Sequence, residues 1–247
     1  MQLKTTGMVF LTSLAFLCSA YAAQAPAAAG RAVVAAAKVP MVTDAPRFFK
    51  VVSVTLPAGA TSTVTGPSGV LYQISGATQV SVGGETKTIN AGEGIYIGAG
   101  AAAQLKSGDE GPSTFFHYFL APRGDLDRPA ESANATVTEI YRSAAPIPDL
   151  KDGAYELNLT RVTFPAGMPS NAPHHRLGAA LYYIVSGVGA NTIDGNVTAK
   201  GPGTFIYEPY SLVHQWGNPG SEPMTFLTFN INPEGVAAVL QGAPAKN

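Results

Sequence analysis

Four histidines are the side chains of this sequence best suited to metal or acid–base chemistry: His117, His174, His175 and His214. Imidazole titrates near neutral pH and is the commonest metal ligand, so clustered histidines are where a site is sought first. Three of the four lie in the second half of the chain. His174 and His175 are adjacent, and neighbours on a regular strand face opposite sides, so only a bulge would turn both inward. His175 is the preferred candidate of the pair, and His174 reads better as a surface residue. His117 stands in the apolar run Thr114–Leu120, where a lone histidine reads as a half-buried strand residue rather than a ligand. No Ser-His-Asp order, phosphate-binding glycine loop or Cys/His zinc cluster occurs.

The elements that must position these residues read as strands. Charged residues make up only 13%, while 27 glycines and 19 prolines favour short strands and many turns over long helices. Phe48–Leu56, Val70–Ile74, Thr78–Val82, Ile95–Ile97 and Thr114–Leu120 are rich in β-branched and aromatic side chains and are bounded by turn residues. The order then recurs. Val54-Thr55-Leu56-Pro57-Ala58-Gly59 is matched by Val162-Thr163-Phe164-Pro165-Ala166-Gly167, and Tyr72-Gln73-Ile74-Ser75-Gly76 by Tyr183-Ile184-Val185-Ser186-Gly187. Gly83-Gly84 is matched by Asp194-Gly195, both two-residue hairpin signals, and Thr114-Phe115 by Thr225-Phe226. The offset is 108 at the first match and 111 at the last, so the second copy is slightly longer, mostly around Pro173-His174-His175.

Lys4, the apolar run Met8–Ala20 and the small residues Ala20 and Ala22 form a cleavable signal peptide, residues 1–22, which predicts a secreted or periplasmic protein. The one cysteine, Cys18, lies in that signal, so the mature chain has no disulfide. Residues 23–44 are dominated by alanine and read as a flexible leader. The first copy then spans 45–123, a polar linker 124–135, and the second copy 136–247, with Asn232-Pro233-Glu234 starting one short helix over Val236–Leu240. The formal net charge of -1 and the lack of a basic patch argue against nucleic acid as a partner. Beyond the signal no stretch is apolar enough to span a membrane as a helix. Asn134, Asn158 and Asn196 each begin an N-x-Ser/Thr sequon.

Gly203, Pro209, Ser211, His214 and Asn218 resemble the second motif of the cupin superfamily, G-x5-P-x-G-x2-H-x3-N, with Ser211 in place of its internal glycine. The first motif, G-x5-H-x-H-x3-4-E-x6-G, matches in part. Gly167 and Gly187 correspond to its ends, and Ala180 stands where the family has Glu. One spacing puts Pro173 and His175 at the two histidine positions, and the shorter one puts His174 and Arg176 there. The resemblance implies an all-β chain of two double-stranded β-helix (jelly-roll) barrels with few short helices. It further implies a divalent metal (Fe, Mn, Ni, Cu or Zn) in the second barrel, held by His175 and His214 with His174 as a further candidate. The family's carboxylate is missing. Strand parity places Tyr182 on the face of Ala180, where its hydroxyl would occupy the space that carboxylate leaves, and Glu208 is able to reach in from the strand before Pro209. Tyr207, Gln215 and Trp216 complete the candidate substrate contacts.

The first copy has no histidine over Thr61–Gly69, and sequence counting places Leu105 at the position of His214, so its barrel is expected to be filled with apolar side chains. Two functions follow from the resemblance. One is a metal-dependent enzyme acting on a small organic molecule, with dioxygenase the nominal class. The other is a non-catalytic cupin that binds a small ligand or sugar. Dimerisation through sheet edges is common in the family, which makes a homodimer an expectation as well.

Overall fold

The computed structural model describes residues 28–42, 46–128 and 133–244. The expected signal peptide lies outside them. The strands are β1 (Gly30–Val42), β2 (Arg47–Leu56), β3 (Thr61–Val64), β4 (Gly69–Ser75), β5 (Ala77–Val82), β6 (Glu85–Asn90), β7 (Gly94–Ile97), β8 (Ala103–Ser107), β9 (Ser113–Pro122) and β10 (Thr136–Arg142). They continue with β11 (Gly153–Phe164), β12 (His174–His175), β13 (Ala179–Ser186), β14 (Gly189–Ile193), β15 (Asn196–Lys200), β16 (Phe205–Glu208), β17 (His214–Gly217), β18 (Met224–Pro233) and β19 (Leu240–Gln241).

All the pairings are antiparallel, and the strands form two barrels of two sheets each, as the resemblance implies. The first joins the sheet β10-β2-β9-β4-β7 to β3-β8-β5-β6, and the second joins β1-β11-β18-β13-β16 to β15-β14-β17-β12-β19. Each expected hairpin is present. Gly83 and Gly84 at φ 60 and 84, and Asp194 and Gly195 at φ 50 and 76, take the paired positive values that a tight two-residue connection demands. The sheets β10-β2-β9-β4-β7 and β1-β11-β18-β13-β16 pack face to face over Phe49, Val51, Tyr118, Leu157, Leu181 and Phe229, and this shared core joins the barrels.

Three expectations change. Much of the supposed flexible leader is strand β1, which pairs along β11 from Gly30↔Thr163 to Val42↔Gly153 and so edges the second barrel. Alanine does bury little surface, but a ladder needs only backbone donors and acceptors, and β11 would otherwise leave an open edge. Conversely β10, assigned by sequence to the second copy, pairs with β2 and edges the first barrel. Each barrel is thus closed by a strand that lies, in sequence, beyond its neighbour. Finally, no helix forms after Pro233. Gly235 takes φ 76 and breaks the turn at once, and the chain runs on to β19, which pairs with His174 and His175. The only helical element among the described residues is a single 3-10 turn, Arg123–Asp125.

Candidate functional site

Alternation along the strands decides what enters the second barrel. On β11 the residues at 158, 160, 162 and 164 face inward, on β13 Ala180 and Tyr182, on β16 Ile206 and Glu208, and on β18 the residues at 224, 226, 228 and 230. The odd members of β13, with Tyr207 of β16, face the other barrel instead. Tyr207 packs edge-on to Phe49 with ring centroids 6.0 Å apart. It is therefore removed from the expected substrate contacts.

The barrel interior is graded. One end is apolar, with Val162, Phe164, Ile184, Met224 and Phe226. Towards the other end polar groups take over. Thr160 Oγ1 and Asn230 Nδ2 both donate to Asn158 Oδ1, at 3.2 and 2.8 Å, and Thr228 Oγ1 donates to Asn230 Oδ1 at 2.6 Å. Asn158, a sequon asparagine, is buried in this ladder and is closed to glycosylation in the folded chain. The alternation Asn158/Thr160 and Thr228/Asn230 is the sequence signal for this stripe, a weak one because both residue types are also common in turns.

At that level lies a compact charged centre. Glu208 is fully buried, and its Oε1 accepts from Trp216 Nε1 at 2.9 Å. Its Oε2 lies 3.4 Å from Arg176 Nε and 3.0 Å from His214 Nε2. Arg176, itself buried, donates from its second terminal nitrogen to the Tyr182 hydroxyl at 2.6 Å and sits over the Tyr182 ring. Burial is the largest influence on Glu208 and pushes its carboxyl up. The opposing pull of the His214 contact, the Arg176 charge and the Trp216 N–H outweighs it and holds the carboxyl below the usual range. Burial pushes the Tyr182 hydroxyl well up, so it stays protonated at neutral pH.

The register explains how a carboxylate returns to a barrel whose motif has lost one. Ala180 pairs directly with Glu208, so the small side chain on β13 leaves room for the acid on β16. Tyr182 fills the next rung and presents its hydroxyl, as parity suggested.

The two adjacent histidines exchange their expected roles. His174 pairs with His214 across β12 and β17, their ring centroids 4.2 Å apart, and it lines the cavity described below. His175 turns the other way, its Nδ1 bound to the Gly242 carbonyl at 2.8 Å, and it is covered by the C-terminal segment. The shorter motif spacing is therefore the one the fold adopts, which puts Arg176 at the second histidine position. Ser211 takes φ 60, the left-handed conformation for which glycine is the easy residue. Asn218 has a structural task, its Nδ2 donating to the carbonyls of Phe164, Pro165 and Glu222.

A divalent metal is tested against this donor set. His214 Nδ1 donates to the Leu212 carbonyl and His174 Nδ1 to the Ala172 carbonyl, at 2.9 and 3.0 Å, so on a neutral ring Nε2 is the nitrogen left to bind a metal. His214 Nε2 has no hydrogen-bond partner despite its 3.0 Å approach to Glu208 Oε2, because the ring is not aligned on that oxygen. His214 Nε2 and Glu208 Oε2 are close enough for one ion to take both as ligands. A third does not join them: among the described residues no three His, Cys, Asp or Glu side chains converge on a point that would hold a metal. Catalytic metal sites ordinarily fix three protein ligands. Where the third would stand, Arg176 already brings a positive charge to the same carboxylate. The set is one donor short of a metal centre.

Above the centre opens a cavity of about 400 Å³, lined by Phe164, Tyr182, Trp216, Phe226, His174 and Arg176 among others. Tyr182, Trp216 and Phe226 pack against one another along one wall of it. The Tyr182 and Trp216 rings lie 5.5 Å apart at 18°, and Trp216 and Phe226 5.7 Å apart at 23°. Arg31 of the exchanged strand β1 stands at its rim, and Val239 and Gln241 of the C-terminal segment close another side.

The first barrel has no such centre. His117 is buried within it, not half-buried, stacked on Phe119 at 3.7 Å, and neither ring nitrogen has a partner. Burial holds it neutral, its pKa lowered to about 3. The ladder also corrects the sequence count: Ala103, not Leu105, occupies the rung of His214, since Val64↔Ala103 corresponds to His174↔His214.

Comparison with known proteins agrees with this architecture. Residues 160–230 match the family described as the cupin domain. No curated protein sequence matches the chain. Among solved structures, oxalate decarboxylase from Bacillus subtilis, studied for its Mn(II) centres, superposes with a TM-score of 0.54 at 15% identity, covering 81% of this chain and 74% of that one. Oxalate decarboxylase from Lactobacillus farciminis, solved as a formate complex, gives 0.54 at 12% identity, covering 83% and 88%. The chain thus has the fold of a two-barrel cupin, and its sequence match to the cupin domain falls wholly within the second barrel.

Proposed function

We propose that this exported chain acts on a small organic molecule bound in the second barrel, with His174, Arg176 and Tyr182 facing that molecule and the buried Glu208 holding Arg176 in place. The observation that carries the reading is a cavity of about 400 Å³ with an aromatic wall, set over a buried centre of one carboxylate, one guanidinium and one imidazole. Concave, mostly apolar sites with a few convergent polar groups are where small molecules bind. Trp216, the one tryptophan of the chain, forms part of the wall, so its fluorescence reports occupancy directly. The test is a small-molecule screen read by Trp216 emission and thermal shift. Ligands that move both, and lose their effect in Trp216-retaining variants such as Tyr182→Ala, are expected. A screen in which no compound moves either signal would remove this reading.

A second reading is favoured by the unpartnered Nε2 of His214. In it His214 and Glu208 would hold a divalent metal, with His174 recruited as a third donor and Arg176 displaced. The two-barrel oxalate decarboxylases that share this fold include one described for its Mn(II) centres, which supports considering it. The metal would supply Lewis-acid or redox chemistry of the dioxygenase type. Elemental analysis of the purified chain, alone and with His214→Ala, separates the two. Stoichiometric metal that is lost in the variant establishes the second reading.

A further inference from the structure

We infer that the molecule bound in the second barrel is a small aromatic carboxylate, its ring on the wall of Tyr182, Trp216 and Phe226 and its anionic group against Arg176. The inference rests on the small-molecule reading above and adds the chemical class.

Charge comes first. The cavity is lined by two guanidinium groups, Arg176 at the base and Arg31 at the rim, and by His174, and no Asp or Glu is among its lining residues. Glu208 stands behind Arg176, fully buried, and does not face the cavity. Arg176 is only 5% exposed at its side chain, yet its hydrogen bonding is incomplete. A guanidinium carries five N–H donors. Here one short bond, 2.6 Å to the Tyr182 hydroxyl, is joined by two at the limit of contact, 3.4 Å to Glu208 and 3.5 Å to the Ala238 carbonyl. A buried cation so loosely satisfied favours a carboxylate that binds it in a charge-assisted, fork-like manner.

Shape comes second. Tyr182, Trp216 and Phe226 pack together on one side of the cavity with their planes within 35° of one another, and Phe164 lies at 85° to Phe226. An aromatic ring packs against such a cluster, whereas a bare dicarboxylate leaves it unused. Trp216 is pinned by its Nε1 bond to Glu208, so the wall does not have to be ordered on binding.

The experiment titrates the full mature chain with benzoate and 3-phenylpropionate, with the neutral isosteres benzyl alcohol and 3-phenylpropanol, and with the ringless anions oxalate and hexanoate. Binding is read by Trp216 fluorescence and by calorimetry. The aromatic acids are expected to bind about tenfold or more tightly than their alcohols and than the ringless anions, the margin of one charge-assisted hydrogen-bonding contact. Arg176→Gln should erase the margin between acid and alcohol. If that variant does not fold, Arg31→Gln, an exposed position, should weaken the acids about two- to threefold with reduced salt dependence and leave the alcohols unchanged. Equal binding of acid and alcohol, or tighter binding of oxalate, would overturn the aromatic carboxylate while leaving the small-molecule reading standing. No binding by any of the probes also overturns the class, and the broader screen then decides the small-molecule reading separately.

Discussion

Where the second barrel holds His174, Glu208, His214 and Trp216, the first holds Val64, Ile97, Ala103 and Leu105 on the corresponding rungs. Where the second has Tyr182 and Asn230, the first has Leu71 and Phe119. The ladders are otherwise paired alike. The first is filled with apolar side chains and buries one lysine, Lys50, against Glu139 and the Leu126 and Arg128 carbonyls, whereas the second gathers a carboxylate, a guanidinium and an imidazole at one centre. The filled barrel tolerates its single buried histidine only as a neutral ring. The other sustains a carboxylate because Arg176 and the Trp216 N–H both donate to it. An ionised side chain inside a barrel persists when its partners are supplied by neighbouring elements, and the second barrel supplies them from β17 and from the residue that follows β12.

The sharpest way to break the comparison is to remove one member of the charged centre. Glu208→Leu leaves Arg176 buried without its counter-charge and should cost about 3–5 kcal/mol, read as a lower urea midpoint by Trp216 emission. Adding Arg176→Met should recover part of that loss, since the pair is then replaced by apolar volume as in the first barrel. A double variant as unstable as the sum of the singles would show that the two residues do not act as a pair.

Next in size is the packing of the filled barrel. Leu105→Ala, at the rung of Trp216, should cost about 2–5 kcal/mol through the cavity it opens, with no effect on ligand-induced Trp216 quenching. Loss of that quenching in a folded variant would mean that the first barrel shapes the site.

His117 offers a smaller and opposite effect. Its ordinary pKa is near 6.5 and its folded value about 3, so the unfolded chain takes up a proton that the folded chain refuses. Its burden is absent well above pH 6.5 and grows as the pH falls towards 3. His117→Leu should therefore stabilise by about 1–2 kcal/mol at pH 7, from two unpartnered ring nitrogens removed, and by more at pH 4.5. Urea midpoints at the two pH values check this, and a gain that shrinks on acidification would contradict the assignment.

The smallest expected change is at Ser211. Ser211→Gly relieves a left-handed backbone and should stabilise by about 0.5–1 kcal/mol without altering the site, measured by thermal midpoint. A destabilised Ser211→Gly variant would mean that the hydroxyl has a role beyond the backbone.

Much of this architecture was legible in the residues. The repeated turns at Gly83-Gly84 and Asp194-Gly195, the alternation of the strands and the motif around His214 are local signals, and local φ/ψ preference and period-2 burial carry them without reference to distant partners. Glu208 and Tyr182 were within reach of parity arguments because each lies on a regular strand. His174 and His175 were not. Their facing depends on the pairing of β12 with β17 and β19, strands distant in sequence, and neighbouring residues on a strand differ only by which face the ladder buries. The residues alone thus determined two barrel-like copies, with the candidate site placed in the second. Tertiary structure alone decided that β1 and β10 are exchanged between the barrels, that Glu208 stands opposite Ala180, and that Arg176 shares its carboxylate with His214. The physical reason is that backbone pairing and charge neutralisation are satisfied by whichever strand lies adjacent in space, and adjacency in space is not written in local sequence.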